Sequence, residues 1–158
     1  MEFYEHKIVQ VEDLIPYALN SRTHSDAQIA QIAASIREFG FTNPILIDEN
    51  NNLIAGHGRL LAARKAKMKQ VPAVVVTGLD DRKRRALVIA DNKLALNAGW
   101  DEELLSFELK DLVSLDKDFE MGIMGFSTSE IDGLLEGVSL EEPGDPKDDR
   151  LLEMSEVA

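Results

Sequence analysis

A strand, a glycine turn and a helix follow one another without a linker near the middle of this chain. The run 52–55 is typical of a strand end, and Gly56 and Gly58 then flank His57. A helical pattern begins at Arg59, with apolar residues on one side and basic residues on the other. Helix N-termini carry unpaired backbone amides, and glycine lets a chain approach an anion closely. The pattern is typical of a phosphate-binding turn, although a strand-to-helix turn also carries glycine for steric reasons alone.

Arg59 and His57 are the candidate functional side chains of this turn. A guanidinium is planar, permanently charged and matched in shape to phosphate oxygens. An imidazole beside it can contact a phosphate or act as a general base. Each also has a simpler interpretation, as a solvated first-turn arginine and as a turn histidine with satisfied hydrogen bonds. His24, in the polar loop 20–25, is a weaker candidate of the same kind.

Charge is distributed unevenly along the chain. Residues 1–100 hold 13 basic and 11 acidic side chains, whereas residues 101–158 hold 4 basic and 18 acidic ones. Residues 59–93 alone hold ten basic and three acidic side chains, which predicts either a surface for a polyanion or simply solvated helix faces. If the first interpretation holds, the chain binds nucleic acid through a basic set consisting of Lys65, Lys67, Lys69, Arg82, Lys83, Arg84 and Arg85.

The composition excludes several classes of protein. The 158 residues suffice for one domain with appendages, and none of them is cysteine. Disulfides, thiolate zinc sites and cysteine nucleophiles are therefore absent. No apolar run approaches the length of a membrane span, so we expect a cytoplasmic protein with no membrane partner.

Apolar periodicity predicts an α/β order of elements, of the α+β type. The predicted strands cover residues 6–11, 44–48, 53–55 and 71–76. The predicted helices cover residues 25–39, 56–68, 80–96, 100–112 and 127–135. The corresponding domain organisation is a folded domain over 1–100, a helical extension over 101–138 and an acidic flexible tail over 139–158.

Five polar or glycine-containing segments stand in a characteristic order: Asn20–Arg22, Arg37–Phe41, Asn43–Asp48, Ile54–Arg59 and Ile89–Leu94. Together they resemble the N-terminal domain of ParB-like proteins, over roughly residues 5–100. That family has the ParB/sulfiredoxin fold, so the resemblance implies a small mixed sheet packed by helices. Leu94–Asp101 and Met124–Asp132 resemble ParB-type domains of phages and mobile elements, which are often fused to DNA methyltransferases.

The resemblance also implies a site for a nucleoside triphosphate, CTP or ATP, with magnesium as an accompanying ion. Asp91 would hold the metal, and Asp91 and His57 would be the catalytic pair if the protein is an enzyme. The residues that the resemblance assigns to the nucleotide are Arg22, Gly56, His57, Gly58, Arg59, Asn92 and Lys93.

Two features depart from the families that share this fold. Chromosome-partitioning ParB proteins have a more arginine-rich first loop than Gly56–Arg59 and a helix-turn-helix domain for which this chain lacks room. Sulfiredoxins need a cysteine in that loop, so their sulfinate chemistry is excluded here.

Two classes of function remain open. The first is a nucleotide-binding, DNA-associated module of a phage or mobile element, acting in DNA modification, partition or regulation. Its partners would be weakly bound DNA, a DNA methyltransferase domain or another protein, and a second copy of the chain. The alternative is a metal-dependent nuclease, or a small NTPase or kinase, of the same fold. A nuclease needs clustered carboxylates for its metals, and near this turn only Asp91 and Asp48 are available.

Overall fold

The computed structural model describes residues 3–17, 23–118 and 120–137. The chain divides into two compact units. The first runs through Asn92 and includes Ile123–Gly125, and the second begins at Lys93. The predicted tail over 139–158 lies outside the described residues.

Four strands form one mixed sheet in the first unit, with the order β1-β4-β2-β3. β4 is antiparallel to β1 and parallel to β2, and β2 and β3 form an antiparallel hairpin. All four strands were predicted, and their ends differ from the prediction by one residue at most. The strands are β1 (Glu5–Gln10), β2 (Ile45–Ile47), β3 (Leu53–Ala55) and β4 (Gln70–Val75).

The described residues contain five helices: α1 (Asp26–Phe39), α2 (His57–Lys65), α3 (Asp81–Asn97), α4 (Glu102–Leu115) and α5 (Thr128–Glu136). Single 3-10 turns occur at Val11–Asp13 and Met121–Met124. The prediction that α2 continues to Met68 is wrong, because Lys67 has a left-handed backbone (φ 57°) that a helix cannot contain. None of the described helices is both long and apolar enough to cross a membrane.

The sheet is covered on both faces within the first unit. Leu53 packs in a cluster with Leu60 of α2, whereas its neighbour Ile54 packs in a second cluster with Val88 of α3. Successive strand residues point to opposite faces, so α2 and α3 lie on opposite sides of the β2–β3 hairpin. This double burial explains why the hairpin strands are continuously apolar.

Candidate functional site

Gly56 is the N-cap residue of α2 and has a left-handed backbone (φ 98°, ψ 28°). A Cβ atom at this position would lie 2.7 Å from Cγ2 of Ile45 and 3.0 Å from Nη2 of Arg59. Both the backbone conformation and the space therefore require glycine.

The N-terminus of α2 carries no side-chain cap, unlike the other four helices of the described residues. With Gly56 as N-cap, no side chain accepts a hydrogen bond from the first turn. The amides of this turn also have no intrahelical acceptor, so they are available to an anion. At the other four helices a Ser or Asp oxygen accepts from a first-turn amide: Ser25, Asp80, Asp101 and Ser127.

Arg59 lies in the first turn of α2 and is only partly satisfied. Its Nη2 donates to the carbonyl oxygen of Pro44 at 3.0 Å, while its Nε is buried without a hydrogen-bond partner. Burial lowers the pKa of the guanidinium, and the charge of Asp91 opposes that shift. An arginine stays charged under all ordinary conditions, so this turn holds a fixed positive charge. Arg59 also has N–H groups that can donate to a further acceptor.

His57 presents a second orphaned polar atom in the same turn. Its Nε2 is buried and has no hydrogen-bond partner. Burial lowers the pKa of the imidazole, and the nearby charge of His24 lowers it further. Buried polar atoms without partners are rare and cost about 1–3 kcal/mol each, so two in one turn indicate a place kept for a ligand.

His24 packs against the first turn of α2. A Cβ atom at Gly58 would lie 2.9 Å from Cε1 of His24 and 3.0 Å from Cδ1 of Ile32 on α1. The glycine thus leaves the space that the imidazole fills. A cavity of about 450 Å³ opens beside this contact, and its wall includes His24, Gln28, Thr42, Asn43 and Arg59.

The α3 residues of the predicted site have different surroundings. Asp91 is exposed and acts electrostatically on Arg59. The side-chain amide of Asn92 donates to the carbonyl oxygen of Val88, one turn earlier in its own helix, at 2.9 Å. Lys93 lies on α3 within the second unit, and Arg22 lies outside the described residues. The structure therefore brings Asp91 to Gly56–Arg59.

An ion pair that the sequence did not predict joins the β2–β3 turn to α3. Asp48 is only 5% exposed, and its carboxylate accepts from Nη1 of Arg84 at 2.8 Å, the amides of Asn50 and Asn52, and the side chain of Asn52. Burial alone would raise the pKa of Asp48, but these hydrogen bonds together lower it. The bond to Asp48 raises the pKa of Arg84, which also contacts Asp81 at 2.9 Å.

The basic set is split between the two ends of β4. Lys65, Lys67 and Lys69 precede its first residue, whereas Arg84 lies at the other end, beside Asp48. Six strand residues span about 17 Å, so the two groups are separate patches. Arg82, Lys83 and Arg85 are exposed at the start of α3.

No three His, Cys, Asp or Glu side chains of residues 3–17, 23–118 and 120–137 are grouped so that they could hold one metal ion. Asp48 is occupied by its four donors. The assignment of a metal to Asp91 remains a prediction.

Two family descriptions match this sequence. The ParB N-terminal domain matches residues 3–93, and the ParB-methyltransferase HTH domain matches residues 103–158. The first match covers more than half of the chain, and the chain therefore belongs to the ParB N-terminal domain family.

Curated relatives of two kinds resemble the chain. A ParB-like nuclease domain-containing protein, YnaK of Escherichia coli, is 52% identical over 75 residues, which are 48% of this chain and 86% of YnaK. A probable chromosome-partitioning protein ParB of Campylobacter jejuni is 30% identical over 114 residues, which are 70% of this chain and 40% of that protein. The chain thus spans less than half of that chromosome-partitioning relative.

Solved structures of ParB proteins share the fold. The C-terminally truncated ParB of Caulobacter crescentus, in complex with CTP-γ-S, superposes with a TM-score of 0.62 at 24% identity, over 85% of this chain and 72% of that one. The pNOB8-like ParB N-domain superposes with a TM-score of 0.51 at 18% identity, over 88% and 59% of the two chains. The predicted fold, a small mixed sheet packed by helices, is confirmed.

The expectation that the chain lacks room for a helix-turn-helix domain is wrong. The matching description covers residues 103–158, a range that contains all but the first residue of α4 and the whole of α5. A helix-turn-helix needs only two short helices and a turn, so it fits in far fewer residues than a second catalytic domain would. The predicted boundary between extension and tail falls inside this match.

Proposed function

We propose that this protein is a nucleotide-dependent, DNA-associated module in which the first turn of α2 binds the phosphates of a nucleoside triphosphate. The observation that carries the proposal is the pair of buried, unpartnered atoms, His57 Nε2 and Arg59 Nε, at an uncapped helix N-terminus. A bound phosphate supplies acceptor oxygens and negative charge to just these groups.

The residues present fit a polyphosphate. The amides of the first turn and the Arg59 guanidinium would hold its oxygens, and the cavity beside them is open to a larger ligand. Asn92, Lys93 and Arg22 are proposed to complete the nucleotide site, and Asp91 is the proposed position for magnesium. A nucleotide, when bound, supplies the energy or the signal for a change of state, and the chain's own residues orient its phosphates.

CTP is the proposed nucleotide. The support is the likeness to the Caulobacter ParB, which was solved with a CTP analogue. ATP is the competing choice, because a phosphate turn by itself does not select a base.

DNA association is proposed for two regions, each by itself: the helix-turn-helix match over residues 103–158 and the basic set, of which Arg82, Lys83 and Arg85 are exposed at the start of α3. The phage or mobile-element origin, a methyltransferase partner, dimer formation and a cytoplasmic location remain predictions of the resemblance. Binding through phosphate contacts alone would be weak, tolerant of sequence and steeply dependent on salt.

Isothermal titration with CTP, ATP, GTP, UTP and pyrophosphate, with and without magnesium, tests the proposal. We expect a clear heat of binding with CTP and weaker responses with the other nucleotides. Absence of heat and of any thermal shift with every one of these ligands would overturn the phosphate site.

A plasmid assay addresses the enzymatic alternative. Incubation of supercoiled DNA with the protein and magnesium or manganese, with His57→Ala and Asp91→Ala as variants, reports cleavage. Nicking that both substitutions abolish would favour a nuclease, and release of phosphate from CTP in the same samples would favour an NTPase. Intact DNA and intact CTP support the binding module.

A further inference from the structure

We propose that phosphate binding at α2 is proton-linked, with His24 contacting the bound phosphate in its protonated form. The inference rests on the proposed function and adds a regulation to the same site. A fall in pH would then tighten binding.

The position of His24 is set by packing rather than by chance exposure. Its ring lies against the backbone at Gly58, where a Cβ atom would come within 2.9 Å of Cε1 and 3.0 Å of Nδ1. Because Gly58 is buried and has no side chain, the imidazole reaches the first turn of α2 directly. The same ring lines the cavity with Arg59, so a ligand held by that turn meets His24.

The imidazoles of His24 and His57, which meet at the first turn of α2, repel each other when both are charged. The charge of His24 disfavours protonation of His57, in addition to the effect of burial. Like charges at close range keep at least one ring neutral near neutral pH. A bound phosphate removes this conflict, because its negative charge favours the protonated form of both rings.

Other charged groups around the pair act in known directions. Arg59 on α2 adds a fixed positive charge, which also favours neutral imidazoles before a ligand binds. Asp91 on α3 acts on Arg59, and Asp26 lies in the first turn of α1. Gln28, Thr42 and Asn43 in the cavity wall carry no charge. Histidine is the residue type whose ordinary pKa lies near the range from about pH 6 to pH 8, so we expect the two histidines to supply the protein-side pH dependence there.

Linkage gives the size of the effect. A ligand that takes up one proton on binding gains affinity by up to about tenfold for each unit of falling pH. We expect CTP or pyrophosphate to bind the wild type about tenfold more tightly at about pH 6 than at about pH 8, which corresponds to an average uptake of about half a proton per ligand over this range.

The experiment is titration calorimetry with CTP and pyrophosphate at about pH 6, 7 and 8, in two buffers of different ionisation enthalpy. The wild type should take up about half a proton per ligand on average over this range. His24→Gln, which keeps a planar polar side chain that cannot be charged, should lose most of the proton uptake and the pH slope. His6→Gln is the matched control, since His6 is exposed on β1, and it should keep both. Protonation of the ligand itself is common to all three proteins and cancels in the comparison.

The outcomes separate the two proposals. If the wild type binds without proton uptake, or His24→Gln keeps the full slope, the proton linkage is wrong and the phosphate site stands. If neither CTP nor pyrophosphate binds at any pH, the proposed phosphate site is wrong, and the proton linkage is wrong as well. His24→Asn is a second uncharged replacement compared in the same way, so a poorly folded His24→Gln would not leave the linkage untested.

Discussion

The two ends of β2 each hold an arginine, and the two arginines are in opposite states. At the start of the strand, Arg59 has one backbone acceptor at Pro44 and a buried Nε with none. At its end, Arg84 donates to the buried carboxylate of Asp48 and to a second aspartate. Arg84 thus binds two carboxylates of the fold, whereas Arg59 keeps a buried Nε without a hydrogen-bond partner, as we expect if it binds the proposed ligand.

α3 connects these two ends. Arg84 in its first turns is tied to the β2–β3 turn, and Asp91, seven residues later, acts on Arg59. Seven helical residues rise about 10 Å. The ion pair therefore anchors the N-terminal part of the helix that carries Asp91, and we expect it to support binding at the proposed site without contacting the ligand.

The largest effect is expected from Gly56→Ala. This substitution tests whether stability at the Arg59 end of β2 depends on the left-handed backbone of Gly56. The free energy of unfolding should fall by about 3 kcal/mol, from the left-handed backbone and the contact with Ile45. Gly78 is the matched control, because its φ is 77° and a Cβ atom added there would meet nothing within 4 Å. Gly78→Ala should cost about 1 kcal/mol. Equal losses in denaturant titrations would mean that the close approach to Ile45 is unimportant.

Arg59→Ala is expected to act on affinity. Loss of the charged donor should weaken CTP or pyrophosphate binding by about 1.5–3 kcal/mol, with little change in melting temperature. Arg64, exposed on the same helix, is the control, and Arg64→Ala should bind almost as the wild type does. A variant with lowered stability and unchanged affinity would instead make Arg59 a structural residue.

Arg84→Ala is expected to act on stability. It removes one of four donors from a buried carboxylate, and because Arg84 is 30% exposed the loss should be about 1–2 kcal/mol. Arg85 is the control, because its contact with Asp81 is long, at 3.8 Å, and exposed. Arg85→Ala should cost about 0.5 kcal/mol or less in urea unfolding. An equal effect of the two substitutions would remove the distinction between the ends of β2.

The smallest effect is expected for the pH dependence of the stability that the Asp48 carboxylate contributes at the end of β2. Asp48 has a lowered pKa in the fold, so its contribution is complete above the pKa of an unfolded aspartate and is lost as pH falls through the folded value. The gap in melting temperature between the wild type and Asp48→Asn should narrow below about pH 4. Titration of the other carboxyl groups is shared by both proteins. If the difference in melting temperature stays constant down to about pH 3, the ionised form of Asp48 does not stabilise the fold.

Local chemistry explains why most elements were predictable. The Ser25 and Ser127 caps, the Gly56 turn and the short apolar strands are specified by residues close together in sequence. The end of α2 was not, because a lysine at position 67 gives no signal that its backbone is left-handed. A glycine inside the first turn of a helix was the available sign that another group packs against Gly58.

The sequence by itself determined the order of the elements, the glycine turn before α2 and the resemblance to ParB domains, because these depend on periodicity and on contiguous motifs. Only the tertiary structure decided which charged side chains form ion pairs within the protein. Arg84 and Asp48 are 36 residues apart, and the basic set is divided by the length of β4. Hydrogen bonds and burial between distant segments set those states, and residue type alone carries no record of which partner a side chain will meet.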